Sequence, residues 1–279
     1  MIEINISIDR LTIMGYDTNM LEGYIKNSNY MYYHGFSKNY AFRHAYKGLN
    51  GEFFEMGDKK KLRIDFNPNT ANMEEIKKIL SWIKHPYLTR IDIAIDYFNI
   101  DLSDINWISS RPRKQNIWRG LDGKLETLYL GSASSEKRYR IYNKRLERLE
   151  KKKECSDQEH WRVEVQQRFK ENDNLDNHEY LSENLYDIKP YTNELDLSQI
   201  KSPKERIMIR GILEKPSELN SLNPKTKTKY RQLIKKVINE SKDTIDIEEP
   251  IEIYKKERKN LTKQLNHILN MCSPYTVSL

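Results

Sequence analysis

A tyrosine set between two permanent cations is the residue of this chain best placed to do chemistry. It lies in the stretch EKRYRIYNKRLERLEKKK, from Glu136 to Lys153. Strand side chains alternate with period two, so Tyr139, Ile141 and Asn143 take one side and Arg138, Arg140, Tyr142 and Lys144 the other. From Lys144 on, Leu146 and Leu149 among Arg and Lys predict a short basic helix. A phenol flanked by fixed positive charge is suited to attacking a phosphate. The same pattern fits an ordinary half-buried strand tyrosine, and on local pattern alone that ordinary reading is the favoured one.

Carboxylates supply the second set of candidates. In TRIDIAIDY, Arg90, Asp92, Ala94 and Asp96 share one face of a strand, with the two acids about 13 Å apart at Cα by strand rise. At that distance they do not share a small cation without help from a twist or a bulge. Asp65 (in RIDF) and Glu164 (in WRVEV) are each flanked by apolar residues and so belong to a polar face too. Four acids on one face would repel one another unless a cation or Arg/Lys neutralised them. Oxygen ligands of this kind suit Mg²⁺ or Mn²⁺, and a solvated, charged sheet face is the alternative. The six histidines are scattered, with no H-x-H or HExxH spacing. No GxxxxGK[ST] loop, GxGxxG or G-x-S-x-G elbow occurs, which removes nucleotide hydrolysis and serine chemistry.

The elements that position these residues read as an α+β fold. Ile2, Ile4, Ile6 and Ile8 predict an opening strand that LTIMGY extends or pairs with. A short helix is expected over Asn19–Lys26, then strands between Tyr30 and Gly48 with a turn near Ser37–Asn39. A hairpin follows across Gly57–Asp58. Asn72 is an N-cap for a helix through MEEIKKILSWIKH, with Pro86 beyond its end. LTRIDIAIDYF, the hairpin arms KQNIWRG and KLETLYLGS around Leu121-Asp122-Gly123, the Tyr142 stretch and EHWRVEVQQRF supply further strands. Beyond Lys170 a polar Asn/Asp-rich linker precedes helices over Pro203–Leu213, Pro224–Asn239 and Pro250–Asn270. Short connections make the central sheet mostly antiparallel with flanking helices. Two regions are expected, 1–170 (with N-terminal strands in 1–48) and a mainly helical 171–279.

Composition narrows the partners. The 279 residues carry a formal charge of +7 with 18 tyrosines, a mixture of basic and aromatic groups that fits nucleic acid. KTKTKYRQLIKKVI places Lys225, Lys227, Lys229, Arg231, Lys235 and Lys236 on one helix, able to meet duplex phosphates or simply to be solvated. Cys155 and Cys272 make neither a disulfide framework nor a zinc site, which suits a reducing cytoplasm. With no leader-like start and no apolar run of spanning length, a soluble cytoplasmic protein away from the membrane is expected.

In their order, RLTIMG, LRIDFNPN, LTRIDIAIDY with DLSD, GLDGKLETLYLGS, RYRIYNKRLER, HWRVEV and KTKTKYRQLIKKVI resemble the Gram-positive rolling-circle plasmid replication initiators of the RepC/RepD type, the Rep_trans family. RIYNK with a downstream WRVE is the most specific part. The resemblance implies an HUH-nickase-like core without the histidine pair. It implies origin-specific nicking and rejoining through a 5′-phosphotyrosine on Tyr142, with a divalent metal, Mg²⁺ or Mn²⁺. Ligands among Asp65, Asp92, Asp96 and Glu164 are our choice from the faces above. Region 1–170 becomes the nicking domain and 171–279 the origin-binding region. DNA contacts are expected from Arg138, Arg140 and Lys144 near the tyrosine and from Lys225, Lys227, Lys229 and Arg231. Arg140 and Lys144 would stabilise charge on the phosphoryl oxygens and favour phenolate over a phenol whose ordinary pKa is near 10. Partners implied are double- and single-stranded plasmid origin DNA, a second copy in a homodimer and a replicative helicase. Two rivals stand beside this reading: a mobilisation relaxase with the same tyrosine chemistry, and a non-catalytic DNA-binding regulator.

Overall fold

A computed structural model describes residues 2–17, 21–37, 42–57, 61–109, 114–154, 159–170, 181, 185, 187–191, 195–240 and 248–272. The expected turn after Ser37, the turn at Asp58, Cys155 and most of the polar linker after Lys170 lie outside these residues. The chain forms two compact units. One comprises Met1–Ile6, Ile95–Val165 and Glu183–Lys255, the other Ser7–Ala94, Gln166–Ser182 and Lys256–Leu279. We call them the tyrosine unit and the arginine unit.

In the arginine unit, β1 (Glu3–Asp17) realises the opening alternation as one long strand whose isoleucines Ile8 and Ile13 are buried. After α1 (Leu21–Asn27) come β2 (Met31–Phe36), β3 (His44–Gly48), β4 (Phe53–Met56) and β5 (Lys61–Phe66). They pair antiparallel in the order β2–β3–β4–β5–β1, with Thr12 opposite Asp65. The helix predicted after Asn72 forms as α2 (Met73–Ser81): the Asn72 side chain accepts from the amides of Glu74 and Glu75, and Ile76, Ile79 and Leu80 are buried. It stops at Ser81, four residues before the expected end, and β6 (Ile83–Phe98) begins at once, with Pro86 inside it. The reason is local. A proline disfavours the helical region for the residue before it, and His85 takes φ +48° instead.

The tyrosine unit carries the end of β6, then β7 (Asn106–Ser109), β8 (Gln115–Arg119), β9 (Leu125–Leu130), β10 (Lys137–Asn143), α3 (Lys144–Glu150) and the start of β11 (His160–Arg168). Strand order is β6–β11–β10–β9–β8, with the pairs β8–β9 and β9–β10 antiparallel. The expected β8–β9 hairpin turns at Leu121–Gly123, where Gly123 adopts φ +80°, a conformation that costs a side chain but not glycine. β12 (Ile188–Tyr191) pairs with β7 in a separate two-stranded sheet. Neither short strand is anticipated in the sequence, because β12 has four residues with Pro190 inside, and proline argues against a strand. α4 (Pro203–Glu214), a 3-10 turn (Pro216–Asn220) and α5 (Pro224–Glu240) follow. They enclose a core of Ile209, Ile212, Tyr230, Ile234 and Val237 together with Ile108 of β7. α6 (Glu248–Leu269) is the last helix among the described residues. The architecture is α+β with a mostly antiparallel sheet and flanking helices. No helix among the described residues is long and apolar enough to cross a membrane.

Gly15 of β1 has no room for a side chain. A Cβ there would run into Cγ2 of Ile83 and lie 2.7 Å from the carbonyl oxygen of Lys84. Gly15→Ala is therefore expected to destabilise the protein by about 2 kcal/mol, read as a lowered midpoint in a chemical denaturation curve. An unchanged midpoint would mean that β1 and β6 separate freely at this point.

Candidate active site

Tyr142 is placed by three local choices in the sequence. β10 alternates so that Tyr139 and Ile141 are fully buried on one face while Arg138 and Arg140 take the other with Tyr142. Asn143 then ends the strand and starts α3: its side chain accepts from the Leu146 amide at 3.0 Å, an N-cap that the sequence reading did not assign. Capping sets Lys144 and Glu147 in the first turn of the helix, beside the ring.

The phenol is held on every side. Its hydroxyl donates to Oε1 of Glu164 on β11 at 2.7 Å and accepts from Nζ of Lys144 at 3.1 Å. The Arg140 guanidinium lies 3.8 Å from the ring centroid, a cation–π contact. Arg140 also faces Oε2 of Glu164 at 3.8 Å and Oε1 of Glu147 at 3.6 Å. Lys144 donates to Oε2 of Glu147 at 2.6 Å. Tyr142 is 1% exposed.

That environment reverses one expectation. The cations beside Tyr142 do not prevail: burial pushes the Tyr142 hydroxyl well above its usual pKa, the charge of Glu164 pushes the same way, and Arg162 opposes them without prevailing. The resting group is a neutral phenol whose proton already points at a carboxylate. The cations answer the two acids instead. Burial would raise Glu147, but the hydrogen bonds of Lys144 and Lys151 hold its carboxyl down at about 2. Glu147 is absent from the sequence reading. Its i, i+3 spacing from Lys144 and i, i+4 spacing to Lys151 are the signal that would have found it.

The four candidate acids divide between the units. Glu164 and Asp96 belong to the tyrosine unit. Asp96 is buried and accepts from His160 Nε2 at 2.7 Å and from Nε and Nη2 of Arg162 at 2.7 and 2.8 Å. Burial opposes its ionisation, but these donors hold its carboxyl below the usual range. Period two along β11, shared with Arg162 and Glu164, thus brings His160 to a candidate acid. Asp65 and Asp92 belong to the arginine unit. Asp65 accepts from Thr12 at 3.0 Å and pairs with Arg10 at 3.0 Å and Arg63 at 2.9 Å. Asp92 takes both ends of the Arg90 guanidinium, at 2.7 and 2.5 Å. Among the described residues no three His, Cys, Asp or Glu side chains gather as a metal cage. Mg²⁺ is commonly held by one or two carboxylates together with substrate phosphates, and Glu164, next to the phenol, fits that more modest requirement.

On α5, Lys225 is exposed, Lys227 donates to Asn220 at 3.1 Å, Lys229 pairs with Glu205 at 2.5 Å, and Arg231 is half-buried. The helix lays Tyr230, Ile234, Val237 and Ile238 into the core and turns its cations outward.

An antiparallel α+β chain whose sheet presents a tyrosine hydrogen-bonded to a glutamate and a lysine is the class these observations define. In sequence it is related to replication initiation proteins of Staphylococcus aureus: 31% identical to one over 214 residues, 75% of this chain and 64% of the relative, and 32% identical to another over 215 residues, 75% and 65%. The chain thus spans just under two thirds of the length of these relatives. No protein-family model matches it. A solved rolling-circle replication initiator from Geobacillus stearothermophilus aligns over 60% of this chain and 75% of its own, with TM-score 0.39 and 15% identity.

Glu147 gives a test of the charge arrangement. Its folded pKa of about 2 lies below the ordinary 4.5, so its stabilisation is complete above pH 4.5 and fades as pH falls towards 2. Wild type should exceed Glu147→Gln in stability by on the order of 1 kcal/mol at neutral pH, the gap closing across that window in denaturant melts. A gap independent of pH would show that the lysines do not act on this carboxylate.

Proposed function

We propose that this chain is a plasmid replication initiator that nicks and rejoins one strand of origin DNA through Tyr142. The observation that carries the reading is the 2.7 Å hydrogen bond from the phenol to Glu164, with Lys144 on the same oxygen. Glu164 takes the phenolic proton as the oxygen attacks phosphorus. A Tyr142 O–P bond forms, the bond to the 3′ oxygen breaks, and that oxygen leaves as a hydroxyl after taking a proton from solvent. Since a phosphodiester is exchanged for a phosphotyrosine, the reverse attack by a 3′ hydroxyl reseals the strand without ATP. A neutral phenol with a base in place suits this better than a resting phenolate, because the charge then develops only as the bond forms.

Lys144 and Arg140 stabilise the growing charge on the phosphoryl oxygens. At 1% exposure Tyr142 must be uncovered first. An incoming phosphate competes with Glu147 for Lys144 and Arg140, which draws both cations from the ring towards the substrate. Mg²⁺ or Mn²⁺, implied by the family resemblance, would be held by Glu164 and the phosphate, where it offsets phosphate charge. The replication role rests on the staphylococcal relatives. We extend from the resemblance the proposals that α5 contacts duplex origin DNA, that the protein acts as a homodimer, and that a replicative helicase follows it.

The same burial favours a second reading, in which Tyr142 only packs and the protein regulates DNA without cutting it. Supercoiled plasmid carrying the origin, incubated with Mg²⁺ or Mn²⁺, separates the two. Wild type should give nicked circles and a covalent adduct mapping to Tyr142. Tyr142→Phe should give neither, and Glu164→Gln should slow nicking by roughly 10²–10⁴-fold. Absence of nicking by wild type, or nicking by Tyr142→Phe at the wild-type rate, would leave the regulator.

A further inference from the structure

The face of the tyrosine unit that carries Tyr142 continues across β9 to the edge strand β8. Cross-strand register puts Thr127 opposite both Tyr142 and Trp118, and Tyr129 opposite both Arg140 and Asn116. Paired residues on neighbouring antiparallel strands share a face, so Trp118 stands two strand spacings from Tyr142, about 10 Å. A bulge between Trp118 and Arg119 interrupts the ladder at that point, a device that re-aims side chains at sheet edges and beside active sites.

These side chains form a continuous aromatic and cationic row. Trp118 meets Tyr129 edge to face, with ring centroids 5.5 Å apart. Arg138 lies 4.0 Å from the Tyr129 centroid and Arg140 at 5.6 Å from the same ring. Arg140 then covers Tyr142. Two features go unexplained by packing. Trp118 is 49% exposed, whereas Trp107 and Trp161 are buried. Among the described residues Arg138 has no carboxylate partner, and its Nε is buried without a hydrogen bond, while Arg140 is shared by Glu147 and Glu164. An exposed indole and an unneutralised guanidinium in one row match a flat aromatic group joined to an anion.

We propose that Trp118, Tyr129 and Arg138 form a single-strand platform. One base stacks on the Trp118 indole, and the phosphate next to it lies on Arg138 and Arg140, so that the following phosphodiester is delivered to Tyr142. The direction of travel towards Tyr142 rests on the nicking reading, but the platform itself does not. Single-stranded rather than duplex DNA is the occupant, because a base can stack on an indole only when it has left its own stack, and base–aromatic stacking tolerates any sequence. Trp118 and Tyr129 are positioning residues: neither reaches the reacting oxygen.

The experiment measures binding on the full chain carrying Tyr142→Phe, so that cutting plays no part. A short oligothymidylate and a duplex of equal length are titrated against it. Single strand should quench tryptophan fluorescence. Adding Trp118→Ala should remove most of the quench and weaken single-strand binding roughly five- to a hundredfold, with duplex binding unchanged and near-native far-UV circular dichroism. Trp118→Phe, which keeps a ring, should recover much of the affinity. Arg138→Gln should weaken single-strand binding and flatten its salt dependence by about one phosphate contact. If Trp118→Ala binds single strand as the parent does, or loses duplex and single strand equally, the platform is wrong. Either result leaves the nicking assay of Tyr142 untouched, and failure of nicking leaves this measurement standing.

Discussion

Burial of an ionisable group without loss of balanced charge is the constraint on which the tyrosine unit depends. Tyr142 is buried, and Glu164, Arg140, Lys144 and Glu147 around it are only partly exposed. A phenolate there would place a third negative charge beside two carboxylates. The phenol therefore stays neutral, Glu147 stays charged, and the two cations lie against both acids. Each group's state follows from its neighbours, and removal of either acid leaves a cation looking for an anion. A phosphate is such an anion. On the proposed function, the carboxylates of the resting arrangement stand in for the substrate phosphate, and a covered tyrosine and a reactive tyrosine can be the same residue.

The sequence was informative wherever a residue's face followed from period two or 3.6. The isoleucines of β1, the N-cap of α2, the β8–β9 hairpin and the helices α4 to α6, each with proline at or near its start, could all be read this way, as could the company of Arg140 and Lys144 with Tyr142. Reading failed where distance in the chain separates the partners. Asp96 and His160 lie 64 residues apart and meet only because β6 and β11 are neighbours in the sheet. Alternation places each on a face but gives no register between strands. The sign of the tyrosine's pKa shift failed for a related reason. Its nearest cations are neighbours in sequence, at 140 and 144, whereas the burial and the Glu164 carboxylate that outweigh them come from the fold. Helix α2 was overextended because its amphipathic pattern runs on past the point where Pro86 forbids the helical conformation at His85.

The four acids first grouped together by pattern are not chemically equivalent in the folded chain. Asp65, Asp92 and Asp96 all take short bonds from arginines. A guanidinium fork does not give up its own protons at accessible pH, so these short bonds carry no proton to transfer; the donors of Asp96 hold its carboxyl below the usual range, whereas burial of Asp92 outweighs Arg90 and raises it. Glu164 takes its 2.7 Å bond from a phenol, with the nearest guanidinium nitrogen of Arg140 at 3.8 Å. Its short partner is a group that can transfer a proton. Alternation along β11 sets Arg162 against Asp96 and, at the next position on the face, Glu164 against Tyr142. One strand thereby supplies an arginine that holds a neighbouring acid inert and, two residues later, the acid that meets the nucleophile candidate. Acid content alone does not mark the site; what marks it is the acid that the tyrosine hydroxyl meets at 2.7 Å.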